Sequence, residues 1–451
     1  MLWKPVPSCV LTLSLAAVAA AVPPRVIDAK PNFGDVGVDP QLEAITLVFD
    51  QEMRVGSQSI CGGGIEFPAI MGKGKWTDAR TFVLPVKLVG GRRYVFSVNC
   101  PAALNFKSAK GEPATITPIA FKTAAAGEQA PTLTPEQADE AIKGLRTAID
   151  ERYSHRERLG LDWNQLFAAH DEAMRAARTP GALVRAMARL LAAAEDVHVA
   201  IAFDDLQFPA YQRLLSANEE PGAVLKLIPD LSTPSPRISL GRFDDGVGYI
   251  AINSWNAHGA EDLMKPAYAA LEKFADAPGL IIDVRQNGGG DEAVAQAFAS
   301  RFVEREKIYS RHRIRDPQAE GGWTASFDRI IKPAEGAALF ATRVAVLIGP
   351  ACVSSNESFV LMMQEPARRE LFGTSTAGRS GNPHWYELVA GVKVLLPSWV
   401  NMDANGRPLE GAGIAPDHRV EWPRGKVVDD PVIAAARAWL VPSAGGKVDP
   451  R

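Results

Sequence analysis

The chain has 451 residues, of which 47% are hydrophobic and 22% are charged. These proportions are close to those of globular proteins and exclude a disordered, collagen-like or coiled-coil chain. The 49 Lys and Arg residues nearly balance the 52 Asp and Glu residues, for a net charge of −3, so nucleic acid and anionic membranes are not expected as partners. At roughly 100 to 200 residues per domain, the length predicts about two or three domains.

The first residues are typical of a signal peptide. Lys4 precedes an apolar run over residues 10–21, which is followed by Val22-Pro23-Pro24. The run is too short to span a bilayer comfortably, and no later segment is long and apolar enough to be a transmembrane helix. We therefore predict that residues 1–21 are removed and that the protein is exported, periplasmic or secreted, without a membrane span.

Three cysteines would remain after this cleavage: Cys61, Cys100 and Cys352. In an oxidising compartment Cys61 and Cys100 could pair, because they lie in one small segment, and Cys352 would be left over. Two buried free thiols are an equally good interpretation, because spacing along the sequence does not give the separation of the Cα atoms.

Residues 25–123 alternate short apolar-polar strands with turn residues. The predicted strands are Ala44–Phe49, Thr81–Leu84, Tyr94–Val98 and Ile119–Thr123. Alternating strands at this spacing predict a β-sandwich. The segments Lys30-Pro31 and Trp76-Thr77-Asp78 make this region similar to the bacterial immunoglobulin-like domains appended to exported enzymes. That resemblance implies a spacer or docking module, and a purely structural cap on the next domain is the alternative.

Residues 124–131 are small and polar and predict a linker. A helix is expected after it, because Thr134-Pro135-Glu136-Gln137 supplies an N-cap, a proline at the first helical position and a capping-box glutamine. A second helix is expected to begin near Thr179-Pro180. From Val247 onward strands alternate with helices, which predicts an α/β domain over residues 132–443.

Two polar loops follow apolar strands of this domain. In the first, Asp283–Gly290, three consecutive glycines would let backbone N–H groups approach a ligand closely, although a tight turn is the ordinary interpretation. In the second, Pro350–Ser358, Ser354 stands on a strand-to-helix turn near the positive end of a helix, which suits a nucleophile. A helix N-cap is the ordinary interpretation of such a serine.

Together these loops resemble the tail-specific, or C-terminal-processing, serine peptidase family. Asp283–Gly290 matches the family's glycine-rich strand end, and Ser354 with Glu357 matches its nucleophile motif. Two later motifs match in the family's order: Gly373–Gly378, in a looser form, and Gly413–Asp417. The resemblance implies an α/β peptidase domain of crotonase-like spiral topology, preceded by a helical subdomain.

One departure from the family concerns the general base. In its serine/lysine branch a lysine follows the glycine turn, but this chain has Arg379, which stays protonated and cannot accept the serine proton. The segment Asp196-Val197-His198, after a predicted helix, resembles the Asp-x-His element of the tricorn-like branch. That branch uses serine, histidine and glutamate, and Glu410 lies where its glutamate is expected. His384 and His418 are the alternative bases.

The resemblance therefore implies a catalytic set of Ser354, His198 and Glu410. Ser354 would attack a peptide carbonyl, His198 would take and return the proton, and Glu410 would orient the imidazole, directly or through another polar group. The backbone N–H groups of Gly289 and Ser355 would hold the oxyanion.

We predict a serine endopeptidase that acts on proteins or peptides. Arg379 is assigned to substrate binding through a substrate carboxylate, with pairing to a surface acid as the alternative. No cofactor is expected, and no metal, because the histidines and cysteines show no zinc spacing. The segment between His198 and Val247 is too short for the PDZ domain of many relatives. A catalytically silent ligand- or peptide-binding protein on the same fold is the alternative function.

Overall fold

The computed structural model describes residues 22–211, 218–256, 260–364, 368–423 and 427–441. The predicted signal peptide lies outside these residues. The chain divides into two compact units between Ala130 and Pro131. Among the described residues, no helix combines the length and the apolar character needed to cross a membrane.

The first unit consists of short strands in two sheets. Its strands are β1 (Val26–Lys30), β2 (Val36–Val38), β3 (Ala44–Phe49), β4 (Ile60–Cys61), β5 (Ala69–Ile70), β6 (Lys75–Trp76), β7 (Thr81–Lys87), β8 (Arg93–Val98) and β9 (Thr117–Thr123). One sheet has the order β1-β3-β7-β5, with β6 also pairing with β7, and the other has the order β2-β9-β8-β4. Buried and half-buried residues alternate along β3 and β8, because one face of each strand covers the core.

Aromatic side chains fill the core of the first unit. The rings of Phe82 and Phe106 meet edge to face with centroids 5.1 Å apart. Cys61 and Cys100 are joined by a disulfide, with Cα atoms 6.1 Å apart, and Cys352 of the second unit is free and buried. The structure thus selects the disulfide from the two interpretations that the sequence leaves open.

The second unit contains helices and the remaining strands. In chain order these are α1 (Pro135–Arg152), α2 (Trp163–Arg175), α3 (Pro180–Leu191), β10 (Ala200–Phe203), β11 (Leu206–Pro209), α4 (Pro221–Leu227), β12 (Ser232–Ser235), β13 (Ile238–Arg242), β14 (Gly248–Ile252), α5 (Ala260–Lys273), β15 (Leu280–Asp283), α6 (Glu292–Ala299), β16 (Lys307–Ile314), β17 (Phe327–Ile331), β18 (Val344–Ile348), α7 (Ser355–Gln364), β19 (Arg369–Gly373), β20 (Pro383–Glu387), β21 (Val392–Pro397), β22 (Trp399–Asp403), β23 (His418–Arg419) and α8 (Pro431–Leu440).

The capping signals in the sequence mark two helix starts. Thr134 Oγ1 accepts from Gln137 N at 3.2 Å, and Thr134 N donates to Gln137 Oε1 at 2.9 Å, so the predicted capping box at the start of α1 is confirmed. Thr179 caps α3 by accepting a hydrogen bond from Ala182 N at 3.2 Å. Helix α2, which carries no such proline signal, was not anticipated from the sequence.

A seven-stranded sheet organises the second unit. Its order is β12-β13-β14-β15-β18-β19-β23, and the four central strands β14, β15, β18 and β19 run parallel. Apolar side chains of α5, α6 and α7 cover one face of the sheet, and those of α4 and α8 cover the other. All residues of β15 and β18 are therefore buried, as expected for parallel strands covered on both sides. Two smaller antiparallel sheets, β11-β10-β21-β20 and β17-β16-β22, complete the unit.

Candidate active site

Three loops meet at one edge of the large sheet. Residues 284–290 follow β15, residues 349–354 follow β18 and residues 374–380 follow β19. These strands are neighbours and parallel, so their carboxyl ends lie side by side, where ligands of open α/β sheets bind. Hydrogen bonds join the loops, from Ser354 N to Arg379 O at 2.8 Å and from Val353 N to Asn287 O at 3.4 Å.

Ser354 stands immediately before α7 in a strained backbone conformation. Its φ is +61°, which is uncommon for a residue with a side chain and costs on the order of 1–3 kcal/mol. Its carbonyl oxygen accepts a hydrogen bond from Glu357 N at 2.8 Å, which joins Ser354 to the first turn of the helix. The next residue, Ser355, opens α7, so its N–H belongs to the first helical turn, where N–H groups lack intrahelical acceptors and favour anions.

The glycine loop packs directly against this serine. Gly289 has φ +103°, and a Cβ atom there would lie 2.8 Å from Val353 O and 2.9 Å from Ser354 Cβ. Only glycine permits this approach. The Gly289 N–H donates to Asn287 Oδ1 at 2.9 Å, so the oxyanion role expected for it requires this N–H to be shared with a second acceptor.

The hydrogen bonds of Glu357 explain why a glutamate stands three residues after Ser354. Its buried carboxylate accepts from Thr376 Oγ1 at 2.5 Å, from Gly378 N at 2.8 Å and from Arg379 N at 2.7 Å. Burial raises the pKa of Glu357 to about 7, although these hydrogen bonds favour its charged form. The glutamate thus ties the third loop to the helix that carries Ser354.

Glu410 lies beneath the third loop. Its Oε1 accepts from Arg379 Nη1 at 2.8 Å and its Oε2 accepts from Ser380 N at 3.0 Å. Burial alone would lower the pKa of Arg379, but the hydrogen bond with Glu410 raises it above its usual value. Arg379 is itself buried, so its carboxylate partner in this structure is an internal one. Its assignment to substrate binding stays a prediction.

His198 lies beyond α3 and a short 3-10 turn, Ala192–Ala194. Its Nδ1 is 3.6 Å from Oδ1 of Asp196 and, within the described part of the chain, this buried atom has no hydrogen-bond partner. The other oxygen of Asp196 accepts from Tyr153 OH at 3.0 Å and lies 3.1 Å from His155 Nδ1.

His155 connects the two carboxylates of the site. Its Nδ1 is 3.9 Å from Oε2 of Glu410 as well as 3.1 Å from Oδ2 of Asp196. A continuous set of contacts therefore runs from His198 through Asp196 and His155 to Glu410, and from there to the third loop at Ser380. Sequence reasoning found Asp196 only as part of a motif and missed His155, because no pattern links residue 155 to residues 196 and 410.

The atoms of His155, Asp196 and Glu410 that could bind a metal lie within 4.8 Å of one another. Hydrogen bonds already occupy the carboxylate oxygens of Asp196 and Glu410, and His155 Nδ1 contacts Asp196. Two cations also lie beside Glu410: Arg379, and Arg158 with its Nε 3.9 Å away. A cation would be repelled by these guanidinium groups. The cluster is therefore better described as a hydrogen-bond network.

The two alternative bases have other partners. His418 lies on β23, forms an ion pair with Glu370 and stacks on Phe372 with ring centroids 4.3 Å apart. His384 is exposed, and its Nε2 lies 3.1 Å from Asn382 Nδ2. Neither contact involves Asp196, the carboxylate beside His198.

A pocket of about 260 Å³ opens beside Ser354. Its lining residues are Gly290, Asp291, Glu292, Ser354, Ser355, Ser358, Ser380, Asn382, Pro383 and Trp399. Trp399 and Pro383 form an apolar part of the pocket wall, and the buried residues Ser358 and Ser380 contribute hydroxyl groups. The pocket has the size of an amino-acid side chain and offers hydrogen bonds, which fits a peptide better than a large apolar ligand.

In comparisons with known proteins, part of this chain is similar to peptidases. Residues 246–420 match peptidase family S41. The chain is 26% identical over 177 residues to the carboxy-terminal processing protease CtpB of Bacillus subtilis, a match that covers 39% of this chain and 34% of that protein. It is 27% identical over 183 residues to the chloroplastic carboxyl-terminal-processing peptidase 1 of Arabidopsis thaliana, and this match covers 40% of this chain and 35% of that protein. The matches thus span about a third of the length of these curated relatives.

A solved structure is similar over more of the chain. The crystal structure of a protein from Parabacteroides merdae ATCC 43184, provisionally described as a peptidase, matches 70% of this chain and 100% of its own, with 23% identity and a TM-score of 0.59. This likeness concerns the fold, and it confirms the mixed α/β character predicted for the second domain.

Proposed function

Because residues 246–420 match peptidase family S41, we propose that this chain is a serine peptidase that hydrolyses peptide bonds in proteins or peptides. The observation that carries the proposal is the meeting of three loops at the carboxyl edge of the parallel sheet. There Ser354 stands at a helix N-terminus and lines a pocket the size of a side chain.

In this proposal Ser354 attacks the carbonyl carbon of the scissile peptide bond. His198 takes the hydroxyl proton and returns it to the leaving amine, since Arg379, which stands where the family's lysine is expected, remains protonated. The N–H groups of Ser355 and Gly289 stabilise the negative charge on the carbonyl oxygen. Water then hydrolyses the acyl-enzyme through the same groups.

Glu410 has two roles in the proposed site. It holds the third loop through Ser380 N and the Arg379 guanidinium, and it supports His198 indirectly, through His155 and Asp196. Arg379, once neutralised by Glu410, would contribute its remaining N–H groups to substrate binding. This set assigns the chain to the tricorn-like branch, which uses serine, histidine and glutamate.

The proposal also covers the domain topology, the N-terminal module and the export of the protein. The second domain, residues 132–443, would have the crotonase-like spiral topology, and the strands of residues 25–123 would form an immunoglobulin-like module joined by residues 124–131. A signal peptide over residues 1–21 would direct the protein out of the cytoplasm. Cleavage within chains, as an endopeptidase, fits a pocket that is open to solvent. The relatives' names as processing proteases favour catalysis over a silent binding protein.

The test is covalent labelling of the purified protein with a fluorophosphonate, which reacts with activated serines. We expect the wild type to be labelled, and Ser354→Ala and His198→Ala to lose at least about 100-fold in labelling rate, because each lacks one partner of the proton transfer. His384→Ala and His418→Ala serve as matched controls and should label like the wild type. Labelling that survives in folded Ser354→Ala, or that depends on His384 instead of His198, would contradict the proposed site.

A further inference from the structure

We propose that Asp196, rather than Glu410, is the carboxylate that positions His198 and balances its charge when the ring is protonated. The inference rests on the proposed function, because it assigns a role within the same site. Asp196 would be a positioning residue that acts on the substrate only through the histidine.

The local turn already holds His198 against Asp196. Glu195 adopts a left-handed conformation with φ +47°, and Asp196 Oδ1 accepts the backbone N–H of His198 at 2.9 Å. The same oxygen lies 3.6 Å from Nδ1 of the ring, which is slightly longer than a hydrogen bond. Catalytic hydrogen bonds are often long in ligand-free sites and shorten when substrate binds, so a small rotation of the ring completes this contact.

The ring nitrogen needs such a partner. Nδ1 of His198 is buried and has no hydrogen-bond partner among the described residues. A buried polar atom without a hydrogen-bond partner destabilises the fold, because it has lost its contacts with water. In the described chain the carboxylate within 4 Å of this nitrogen is that of Asp196.

Both carboxylate oxygens of Glu410 already accept hydrogen bonds from other groups. Arg379 Nη1 occupies one of its oxygens at 2.8 Å and Ser380 N occupies the other at 3.0 Å. Its contact with a histidine is with His155, at 3.9 Å, and Arg158 Nε lies at the same distance. The guanidinium groups thus neutralise Glu410.

Asp196, in contrast, is surrounded by imidazoles and a phenol. Its side chain is fully buried, and Oδ2 is held by Tyr153 OH and His155 Nδ1, which leaves Oδ1 for His198. Burial would raise the pKa of Asp196, but the neighbouring imidazoles of His155 and His198 outweigh it and hold the pKa well below the usual value. The group therefore stays anionic and can stabilise an imidazolium. The other charged groups near it are Arg158, Arg379 and Glu410.

The experiment compares Asp196→Asn with Glu410→Gln by the pH dependence of the fluorophosphonate labelling rate between pH 5 and 9. We expect Asp196→Asn to reduce the rate at pH 8 by about 100-fold or more and to move the midpoint of the acidic limb down by about one pH unit, because an imidazolium without its anion loses its proton more readily. Glu410→Gln should slow labelling without moving the midpoint. A merely structural role of Asp196 would lower the rate at an unchanged midpoint.

A second measurement needs neither a folded Asp196→Asn variant nor activity. The ¹⁵N-histidine NMR spectrum of the Ser354→Ala protein at low pH should show a hydrogen-bonded Nδ1 proton of His198, assigned by its loss in a further His198→Gln variant. This signal should persist when Glu410→Gln is added. Its disappearance with Glu410→Gln, or a midpoint that moves with Glu410→Gln and not with Asp196→Asn, would overturn the inference. A wild type that is not labelled at all would refute the proposed function and leave the NMR test intact.

Discussion

At Gly289 the backbone conformation and the approach of a neighbouring loop both require glycine. The residue has φ +103°, and any Cβ atom would press on Val353 O and Ser354 Cβ at less than 3 Å. One position before it, a Cβ atom at Gly288 would have no neighbour within 4 Å. Of these two adjacent glycines, only Gly289 is required by the packing of the neighbouring loop.

We predict that Gly289→Ala displaces the turn that carries Ser354. The labelling rate should fall by at least about 10-fold and the free energy of unfolding by about 1–3 kcal/mol, because the substitution adds both backbone strain and overlap. Gly288→Ala is the matched control and should change neither quantity appreciably. Labelling rates and denaturant unfolding of both variants check this, and similar behaviour of the two variants would contradict it.

One buried carboxylate, Asp430, joins the start of helix α8 to the sheet, in addition to the apolar packing of the helix. Asp430 caps the helix by accepting from Val432 N and Ile433 N, each at 3.0 Å, and its Oδ2 accepts from Arg285 Nη1 at 2.8 Å. Arg285 is fully buried and also pairs with Asp283, the last residue of β15. The end of the central strand, the start of the glycine loop and the start of the last helix are thus held by one charge network.

Two substitutions separate the cap from the ion pair. Asp430→Ala removes both and leaves the buried guanidinium short of a partner, so we expect a loss of about 3–5 kcal/mol in unfolding free energy. Asp430→Asn keeps an oxygen for the cap and should lose less. In denaturant unfolding the free energy of unfolding should be highest for the wild type, lower for Asp430→Asn and lowest for Asp430→Ala. An Asn variant as stable as the wild type would show that the charge contributes nothing.

The stability of the whole molecule should depend on pH through its buried acids. Burial, together with the negative charge of Asp283, raises the pKa of Glu219 to about 7 from an ordinary value of 4.5. Between these values the folded state holds a proton that the unfolded chain releases. The contribution of Glu219 to the free energy of unfolding therefore falls as the pH rises from about 4.5 to about 7.

Glu219→Gln removes this titration. We expect the variant to be more stable than the wild type at pH 8, by up to about 3 kcal/mol, and close to it at pH 5, where the glutamate is mostly protonated in the folded state. Unfolding free energies measured at the two pH values test this. A variant that is less stable than the wild type at pH 8 would show that the charged carboxylate is well compensated in the fold.

Some features of this protein follow from its sequence alone, because they depend on residues that are close together in the chain. The capping box of α1, the buried strands ending at Asp283 and Ile348, and the serine at the start of α7 are of this kind. The order of the motifs that resemble those of C-terminal-processing peptidases is visible in the sequence for the same reason. Together they predict an α/β domain, whereas the strand order and the contacts between the loops come from the structure.

Only the tertiary structure decides the partners of groups that lie far apart in the chain. Glu410 pairs with Arg379, His155 bridges Asp196 and Glu410, and burial moves the pKa of Glu357. Hydrogen bonds and desolvation act over a few ångströms, and the packing of α1, α3 and the loops sets those distances. The sequence thus determined which chemical groups are present, and the folded structure determined which carboxylate each histidine meets.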